Sequence, residues 1–341
     1  MSFVEQLLKY NTVSIAGLEK NSGKTTCLNY IIDKLYFDYN KKIAITSIGL
    51  DGESVDQVTT TAKPEINLHK GMIFVTSEKF YLQKMLDAKI HNVSNQRSSM
   101  GRMVTAEAMS DGKCIIAGPD KTSWVKEIIQ QIKSINNINT DVILIDGAIS
   151  RSFHASPAIA EAIVLCTGAV ISPHINTIVS KTKHWVNIVN IPQWEHDLPE
   201  YDTESSNTWI FDNEKNSWKN LKIESLMLID KINHSELDKS DTIFTNGAIT
   251  DKILETIITR KKGKFKLIVA DFTKVFLSNK TLNSFLRNNN EIYVANKTKL
   301  VAICCNPYSP KGFTLNSEEL VSALSKQINY PIIDVKQEQW N

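Results

Sequence analysis

One short segment near the amino terminus constrains this chain more than any other. Residues 13–26 read Val-Ser-Ile-Ala-Gly-Leu-Glu-Lys-Asn-Ser-Gly-Lys-Thr-Thr, an apolar run followed by a glycine-bounded loop and a Gly-Lys-Thr triplet. Apolar residues at helical spacing follow the triplet. The pattern predicts a buried strand, a loop whose backbone N–H groups cradle phosphate, and a helix that starts at the triplet. The chain is therefore expected to bind a nucleotide.

Each residue type of the triplet has a predicted role at a phosphate. Gly23 lets the backbone approach a phosphate closely, Lys24 reaches the β- and γ-phosphates, and the Thr25 hydroxyl is placed to bind Mg²⁺. We expect ATP as the nucleotide and Mg²⁺ as its metal. The predicted nucleotide-binding residues are Gly17, Lys20, Asn21, Ser22, Gly23, Lys24, Thr25 and Thr26.

The spacing of this loop departs from the usual G-x-x-x-x-G-K-[ST] pattern. Leu18 occupies the first glycine position and Gly17 lies one residue earlier, so the loop reads G-x5-G-K-T-T. This longer form resembles dethiobiotin synthetase and its relatives in the SIMIBI class of P-loop proteins. Lys20 invites comparison with the signature lysine of the ParA/MinD branch, but its offset from Lys24 is one residue short, and that role is not carried over.

Two aspartates are candidate metal ligands and catalytic groups beside Lys24. Asp146 follows the apolar run 142–145, where parallel strands of a P-loop protein present an acid at the mouth of the sheet. Asp51 follows the predicted second strand and resembles the acidic loop found there in SIMIBI proteins. The alternatives are a strand-ending turn for Asp146 and an exposed Asp-Gly turn for Asp51.

Several weaker candidates cluster near the same predicted sheet edge. Lys63 precedes a proline and is expected to be extended, Asp120 follows a predicted strand, and Arg151 and His154 lie in the loop after Asp146. Each is equally consistent with a surface group. The segment Asn-Lys-Thr-Lys at 296–299 places a lysine where a guanine-reading N-K-x-D box has its aspartate, which argues against guanine specificity.

Composition narrows the class of protein. The chain has 341 residues, a formal net charge of +2 and five cysteines without metal-site spacing. Its near-neutral charge gives no electrostatic case for nucleic acid or for an anionic membrane. No apolar run is long enough to cross a bilayer, and the first residues lack a signal-peptide pattern. We expect a cytoplasmic protein.

Alternating strand and helix patterns predict an α/β fold. The expectation is a P-loop domain over residues 1–185 with a mostly parallel sheet flanked by helices, a linker with a small β element over 186–230, and a smaller α/β domain over 231–341. Within the first domain, residues 77–90 are predicted to form a helix. In the linker, residues 209–211 and 217–218 flank a predicted hairpin tip.

Several short segments, taken together, resemble the P-loop subunit associated with lysine 5,6-aminomutase in amino-acid-fermenting bacteria, a proposed reactivase component. The resemblance covers most of the chain and is weakest across 186–240. The segments that carry it are 17–26, 46–53, 62–64, 117–119, 146–151, 156–158, 167–169 and 306–312.

That resemblance implies a Mg²⁺-dependent ATPase that helps a partner enzyme release damaged cobalamin. The implied partners are the adenosylcobalamin-dependent aminomutase and a second reactivase subunit, and a homodimer stays open. The chain has no D-x-H-x-x-G segment of the kind that binds a corrin. Two alternatives remain at this point: a biosynthetic enzyme of the dethiobiotin-synthetase kind, and a protein that binds ATP without hydrolysing it.

Overall fold

The structure is a computed structural model, and it divides into two compact units. The first comprises Met1–Lys183 and Thr298–Asn341, and the second comprises His184–Lys297. The structure describes residues 2–48, 65–119, 121–135, 139–148, 157, 159–202, 205–223, 240–261 and 263–338. Within these ranges, no helix has the length and hydropathy that crossing a bilayer requires.

The first unit is built on a nine-stranded, mostly parallel sheet with the order β18-β17-β9-β1-β8-β2-β4-β6-β5. Its strands, with the separate pair β3–β7, are β1 (Thr12–Gly17), β2 (Ile43–Ser47), β3 (Ile66–Leu68), β4 (Ile73–Ser77), β5 (Ala88–Ser98), β6 (Gly101–Ala108), β7 (Gly112–Cys114), β8 (Val142–Ala148), β9 (Ala162–Gly168), β17 (Lys299–Asn306) and β18 (Ile332–Ile333). Only the β4–β6 and β6–β5 pairings of the large sheet are antiparallel. The predicted α/β class with a mostly parallel sheet is confirmed.

Helices cover both faces of this sheet. They are α1 (Phe3–Leu7), α2 (Lys24–Asp33), α3 (Glu78–Tyr81), α4 (Thr122–Lys133), α5 (Ile175–Val189), α8 (Ser317–Ser325) and α9 (Val335–Glu338), and α5 extends past the division after Lys183. Strand β8 shows the two faces: Val142 and Leu144 belong to the core that contains α2, whereas Ile143 and Ile145 belong to the core that contains α4. Because both faces are buried, the strand reads as a continuous apolar run.

The second unit contains a five-stranded sheet with the order β11-β10-β12-β14-β16. The strands of this unit, with the separate pair β13–β15, are β10 (Thr208–Asp212), β11 (Ser217–Asn220), β12 (Thr242–Thr245), β13 (Ile249–Thr250), β14 (Lys266–Val269), β15 (Val275–Phe276) and β16 (Glu291–Val294). Its helices are α6 (Asp251–Arg260) and α7 (Asn279–Arg287). The predicted hairpin is present as the antiparallel pair β10–β11, in which Trp209 lies opposite Asn220. Strands β12, β14 and β16 run parallel.

The unit boundaries differ from the predicted domains 1–185, 186–230 and 231–341. The carboxy-terminal segment from Thr298 onward belongs to the first unit, because β17 pairs with β9 inside the large sheet. The residues predicted as a linker instead supply β10 and β11 to the sheet of the second unit. Strand pairing between distant segments, rather than continuity along the chain, sets these boundaries.

The predicted helix over 77–90 is wrong beyond its first turn. Helix α3 ends at Tyr81, and β5 starts at Ala88, opposite Ala108 of β6. Several apolar residues of this segment are exposed, namely Leu82, Met85 and Ile90, which are 82%, 56% and 48% exposed. Pairing with β6 overrides the local helical pattern.

Candidate functional site

The loop between β1 and α2 contains two residues with a left-handed backbone. Asn21 and Gly23 adopt positive φ angles of 63° and 92°, which glycine and asparagine tolerate best. Helix α2 begins at Lys24, and the Gly23 carbonyl accepts a hydrogen bond from the Cys27 N–H at 3.0 Å. No side chain caps this helix start. The N–H groups of the first turn therefore point at the loop and favour an anion there.

Gly17 allows the loop to fold tightly over the end of β1. A Cβ atom at Gly17 would lie 2.2 Å from the Ser22 Oγ and 2.8 Å from the Lys24 Cγ. No side chain fits in that space, so any larger residue would displace Ser22 and the stem of Lys24. The two glycines of the motif are thus required for different reasons: Gly17 for close approach and Gly23 for its left-handed backbone.

Ser22 is the buried polar residue of the loop. It is 1% exposed, and its Oγ has no hydrogen-bond partner among the described residues. An unsatisfied buried hydroxyl costs about 1–3 kcal/mol. The neighbouring Glu19, Lys20 and Asn21 are exposed, whereas Lys24, Thr25 and Thr26 are half-buried at the start of α2. The loop therefore holds one hydroxyl that a bound oxyanion would satisfy.

Asp146 lies on β8, the strand next to β1. It is near the carboxyl end of that strand, at the same end of the sheet as the loop that follows β1. Strand β8 runs between β1 and β2, with Asp146 opposite Ile15 on one side and Ser47 on the other. Its carbonyl accepts hydrogen bonds from the Ser47 Oγ at 3.1 Å and from the Ile48 N–H at 3.2 Å. The backbone is therefore fixed by both neighbouring strands.

The side chain of Asp146 starts from the face of the sheet that α2 covers. Side chains alternate along a strand, so Asp146 follows Val142 and Leu144, both of which pack in the core that contains α2. The strand was expected to end at residue 145, yet β8 continues to Ala148. Asp146 is thus a residue of the strand itself, not of the turn after it.

The predicted site residues fall into two groups. Gly17, Lys20, Asn21, Ser22, Gly23, Lys24, Thr25 and Thr26 form the loop and helix start, and Asp146 lies on the adjacent strand. The other candidates, Asp51, Lys63, Asp120, Arg151 and His154, lie outside the described residues. In the part of the chain that the structure describes, no three His, Cys, Asp or Glu side chains group closely enough to hold a metal ion by themselves. An uncapped helix start, an unsatisfied serine hydroxyl and a carboxylate on the same face of the sheet fit a nucleotide phosphate with a metal shared between protein and phosphate.

Asn306 is a residue of this site that the sequence prediction of site residues missed. It ends β17, and its Nδ2 donates to the Asn21 carbonyl at 3.5 Å. A Cβ atom at Gly23 would lie 2.9 Å from the Asn306 Cβ, so the two residues are in close contact. A small hollow beside the loop is bounded by Ser22, Thr26 and Asn306. The signal in the sequence is an Asn-Pro pair directly after an apolar strand.

The opposite wall of this hollow comes from the carboxy-terminal segment. Asp334 and Lys336 contribute to it, and the Asp334 carboxylate accepts hydrogen bonds from the Lys336 N–H at 3.1 Å and from the Ser317 Oγ at 2.5 Å. Polar groups from the two ends of the chain therefore meet beside the loop.

Comparison of the chain with protein-family models, with curated proteins and with solved structures finds no match. Its function is therefore inferred from its own residues.

Proposed function

We propose that this protein binds ATP with Mg²⁺ at the loop of residues 17–26. The observation that carries the proposal is the combination of an uncapped α2 start with the buried Ser22 Oγ, which has no partner among the described residues. Ser22 lies two residues before Lys24, where α2 begins, and in this proposal phosphate oxygens accept hydrogen bonds from its hydroxyl and from the N–H groups of the first turn. The absence of an N-K-x-D box at 296–299 supports adenine over guanine.

In this proposal, each side chain acts on the phosphates in a distinct way. The Lys24 ammonium offsets the charge of the β- and γ-phosphates, and the Thr25 hydroxyl and the Asp146 carboxylate hold the metal. Asp51 is a further candidate ligand from the sequence. Bound Mg²⁺ would withdraw charge from the phosphate oxygens. Asp146 needs that cation nearby, since a carboxylate close to a triphosphate is otherwise repelled at low dielectric.

We further propose that ATP hydrolysis serves a partner enzyme, an adenosylcobalamin-dependent aminomutase of lysine fermentation. The support is the resemblance of the segments quoted above, which include residues 17–26, 146–151 and 306–312, to the reactivase P-loop subunit. The segments 52–64 and 147–157 are the proposed partner contacts from the sequence, and most of their residues lie outside the part of the chain that the structure describes.

Reactivation of the partner tests this role directly. The aminomutase is inactivated by turnover and then incubated with this protein, ATP and fresh adenosylcobalamin, with and without the second reactivase subunit. Recovery of activity with ATP, and none with a non-hydrolysable analogue, is the expected result. No recovery under any of these conditions would reject the accessory role, while ATP binding would remain to be judged by calorimetry.

A second candidate function is an ATP-dependent synthetase of the dethiobiotin-synthetase kind. The G-x5-G-K-T spacing from Gly17 to Thr25 favours it. Such an enzyme activates a carboxylate or carbamate with ATP and therefore forms ADP only when that metabolite is present. ADP formation that depends strictly on a small molecule, and not on the aminomutase, would support the synthetase and exclude the accessory role.

A further inference from the structure

Three cysteines from distant parts of the chain meet behind the phosphate loop. Cys27 lies in the first turns of α2, Cys166 in β9 and Cys304 in β17, and all three belong to one buried core. Cys166 and Cys304 are direct partners in the parallel register of their strands. The Cys27 Sγ donates to the Cys304 Sγ at 2.8 Å. The sequence places these residues 277 positions apart, so only the fold brings the two sulfur atoms together.

The surroundings of these thiols differ from those of an isolated buried cysteine. Hydrogen bonds from Cys27 and Cys304 lower the pKa of the Cys166 thiol, and the nearby Lys24 charge acts in the same direction. By contrast, burial is the main cause that raises the pKa of Cys114 to about 12. Burial raises the pKa of the Cys27 thiol, and the contact with Cys166 raises the pKa of the Cys304 thiol. The case for a bond between Cys27 and Cys304 therefore rests on the contact between their sulfur atoms and not on the acidity of either thiol.

We propose that Cys27 and Cys304 form a reversible disulfide that ties the start of α2 to the end of β17. A peroxide serves as the oxidant: one thiolate attacks a peroxide oxygen, the O–O bond breaks, and the leaving hydroxide takes up the thiol proton as water. The second sulfur then displaces the hydroxyl of the sulfenic acid, which leaves as a second molecule of water. Two thiols and one hydrogen peroxide thus give one disulfide and two waters.

The sulfur atoms of this pair are already in contact. The two sulfur atoms need to approach from 2.8 Å to the disulfide length of about 2.05 Å. Cys304 is 3% exposed and contributes to the hollow beside Ser22 and Thr26, whereas Cys27 and Cys166 are fully buried. Of the three clustered thiols, Cys304 is therefore the most accessible to a water-sized oxidant such as hydrogen peroxide.

The pair Cys27–Cys304 has a mechanical consequence that the other close pair lacks. A bond between Cys166 and Cys304 would join two strands that are already hydrogen-bonded neighbours. A bond between Cys27 and Cys304 instead links a helix to a strand. Both ends of this bond would be close to the loop. Cys27 lies three residues after Lys24, and Cys304 lies two residues before Asn306, which contacts the loop at Asn21. The disulfide would restrict the movement of α2 relative to the sheet, and this inference does not depend on the proposed nucleotide.

The test is peroxide treatment of the folded full-length protein, followed by alkylation of the remaining thiols, digestion and mass spectrometry. We expect a loss of two hydrogens per chain and a cross-linked peptide that joins Cys27 to Cys304, reversed by dithiothreitol. The variants Cys27→Ala and Cys304→Ala should lose this cross-link. Cys305→Ala is the matched control, since Cys305 is the next residue of the same strand and is 4% exposed. This variant should keep the cross-link, which would show that Cys304, and not the adjacent Cys305, is bonded to Cys27.

Two outcomes would overturn the proposal at this stage. One is a cross-link between Cys166 and Cys304, and the other is a cross-link that forms only in urea or does not form at all.

Hydrogen exchange tests the mechanical consequence separately. Amides of residues 24–33 should exchange more slowly in the oxidised protein than in the reduced protein, with no change in α6 of the second unit. Equal exchange rates in α2 after complete disulfide formation would overturn the restraint on the helix.

Discussion

Both units contain a parallel strand that leads through a short turn into a helix, and the two turns treat their polar groups in opposite ways. In the second unit, β12 ends at Thr245, the two-residue strand β13 follows, and α6 begins at Asp251. The Thr250 side chain caps α6 by accepting a hydrogen bond from the Ile253 N–H at 3.5 Å. In the first unit, α2 follows Gly23, which has no side chain to offer. The start of α6 is therefore capped by a side chain, whereas the start of α2 is not. We call the connection before α6 the closed turn and the loop before α2 the open turn.

The buried polar residues beside these turns differ in the same way. Asn246 is 4% exposed, yet its Oδ1 accepts from the Asn207 N–H at 2.6 Å and its Nδ2 donates to the Asp202 carbonyl at 2.6 Å. Ser22 is equally buried and has no partner for its Oγ among the described residues. A self-satisfied turn stabilises its own fold, whereas an unsatisfied turn is a place for a ligand. This difference, rather than the shared topology, supports the proposal that the loop of residues 17–26 binds a ligand.

The largest expected effect comes from removing the charge at the open turn. Lys24→Ala should weaken ATP binding by roughly 10- to 100-fold, because a charge-assisted hydrogen bond contributes about 1.5–3 kcal/mol. The free energy of unfolding should change little, since the half-buried Lys24 lies outside the hydrophobic core. Calorimetry with ATP measures the affinity, and Lys252→Ala in the first turn of α6 is the matched control. Unchanged affinity in folded Lys24→Ala would reject the phosphate-loop assignment.

The next effect concerns the acid on β8. Asp146→Asn should keep most of the metal-free ATP affinity, since it removes a negative charge near the triphosphate. It should lose the affinity gained on adding Mg²⁺ and slow hydrolysis by about tenfold or more, which corresponds to about 1.4 kcal/mol. Titrations with and without Mg²⁺ and a phosphate-release assay give these quantities. Hydrolysis at the wild-type rate would make Asp146 a structural residue and direct the search for the metal ligand to Asp51 or Asp120.

A smaller effect is expected at the closed turn. Thr250→Ala removes the cap of α6 and should lower the free energy of unfolding of the second unit by about 1 kcal/mol. ATP affinity should stay the same. Denaturant unfolding followed by tryptophan fluorescence, together with calorimetry, separates the two readouts. A loss of ATP affinity in this variant would mean that the two turns are not functionally distinct.

The smallest effect on stability should come from the matching change at the open turn, and its sign should be reversed. Ser22→Ala removes a buried hydroxyl that lacks a partner among the described residues, so the ligand-free protein should be unchanged or stabilised by up to about 1 kcal/mol. The same variant should bind ATP more weakly. Thermal unfolding with and without ATP tests both statements. Destabilisation of the ligand-free protein would show that Ser22 is satisfied within the fold, as Asn246 is.

Local features of this molecule were predictable from the sequence. The strand at 142–145, the loop before Lys24 and the helix that follows it all depend on neighbouring residues: apolar runs, glycines at fixed intervals and helical spacing. The helix predicted over 77–90 was not found beyond Tyr81, because pairing between Ala88 and Ala108 involves residues twenty positions apart. Prediction from neighbours fails where a strand partner outcompetes the local pattern.

The sequence by itself determined the order of three elements: an apolar strand, then a loop with Gly17 and Gly23, then a helix that starts at Lys24. Only the tertiary structure decided what surrounds them. A strand buried on both faces shows no alternation, so the face that carries Asp146 could not be read from its apolar run. The order of strands in the sheet is equally non-local. It placed β17 beside β9, brought Asn306 to the loop and set Cys304 against Cys27, because burying the apolar faces of distant segments together outweighs their separation along the chain.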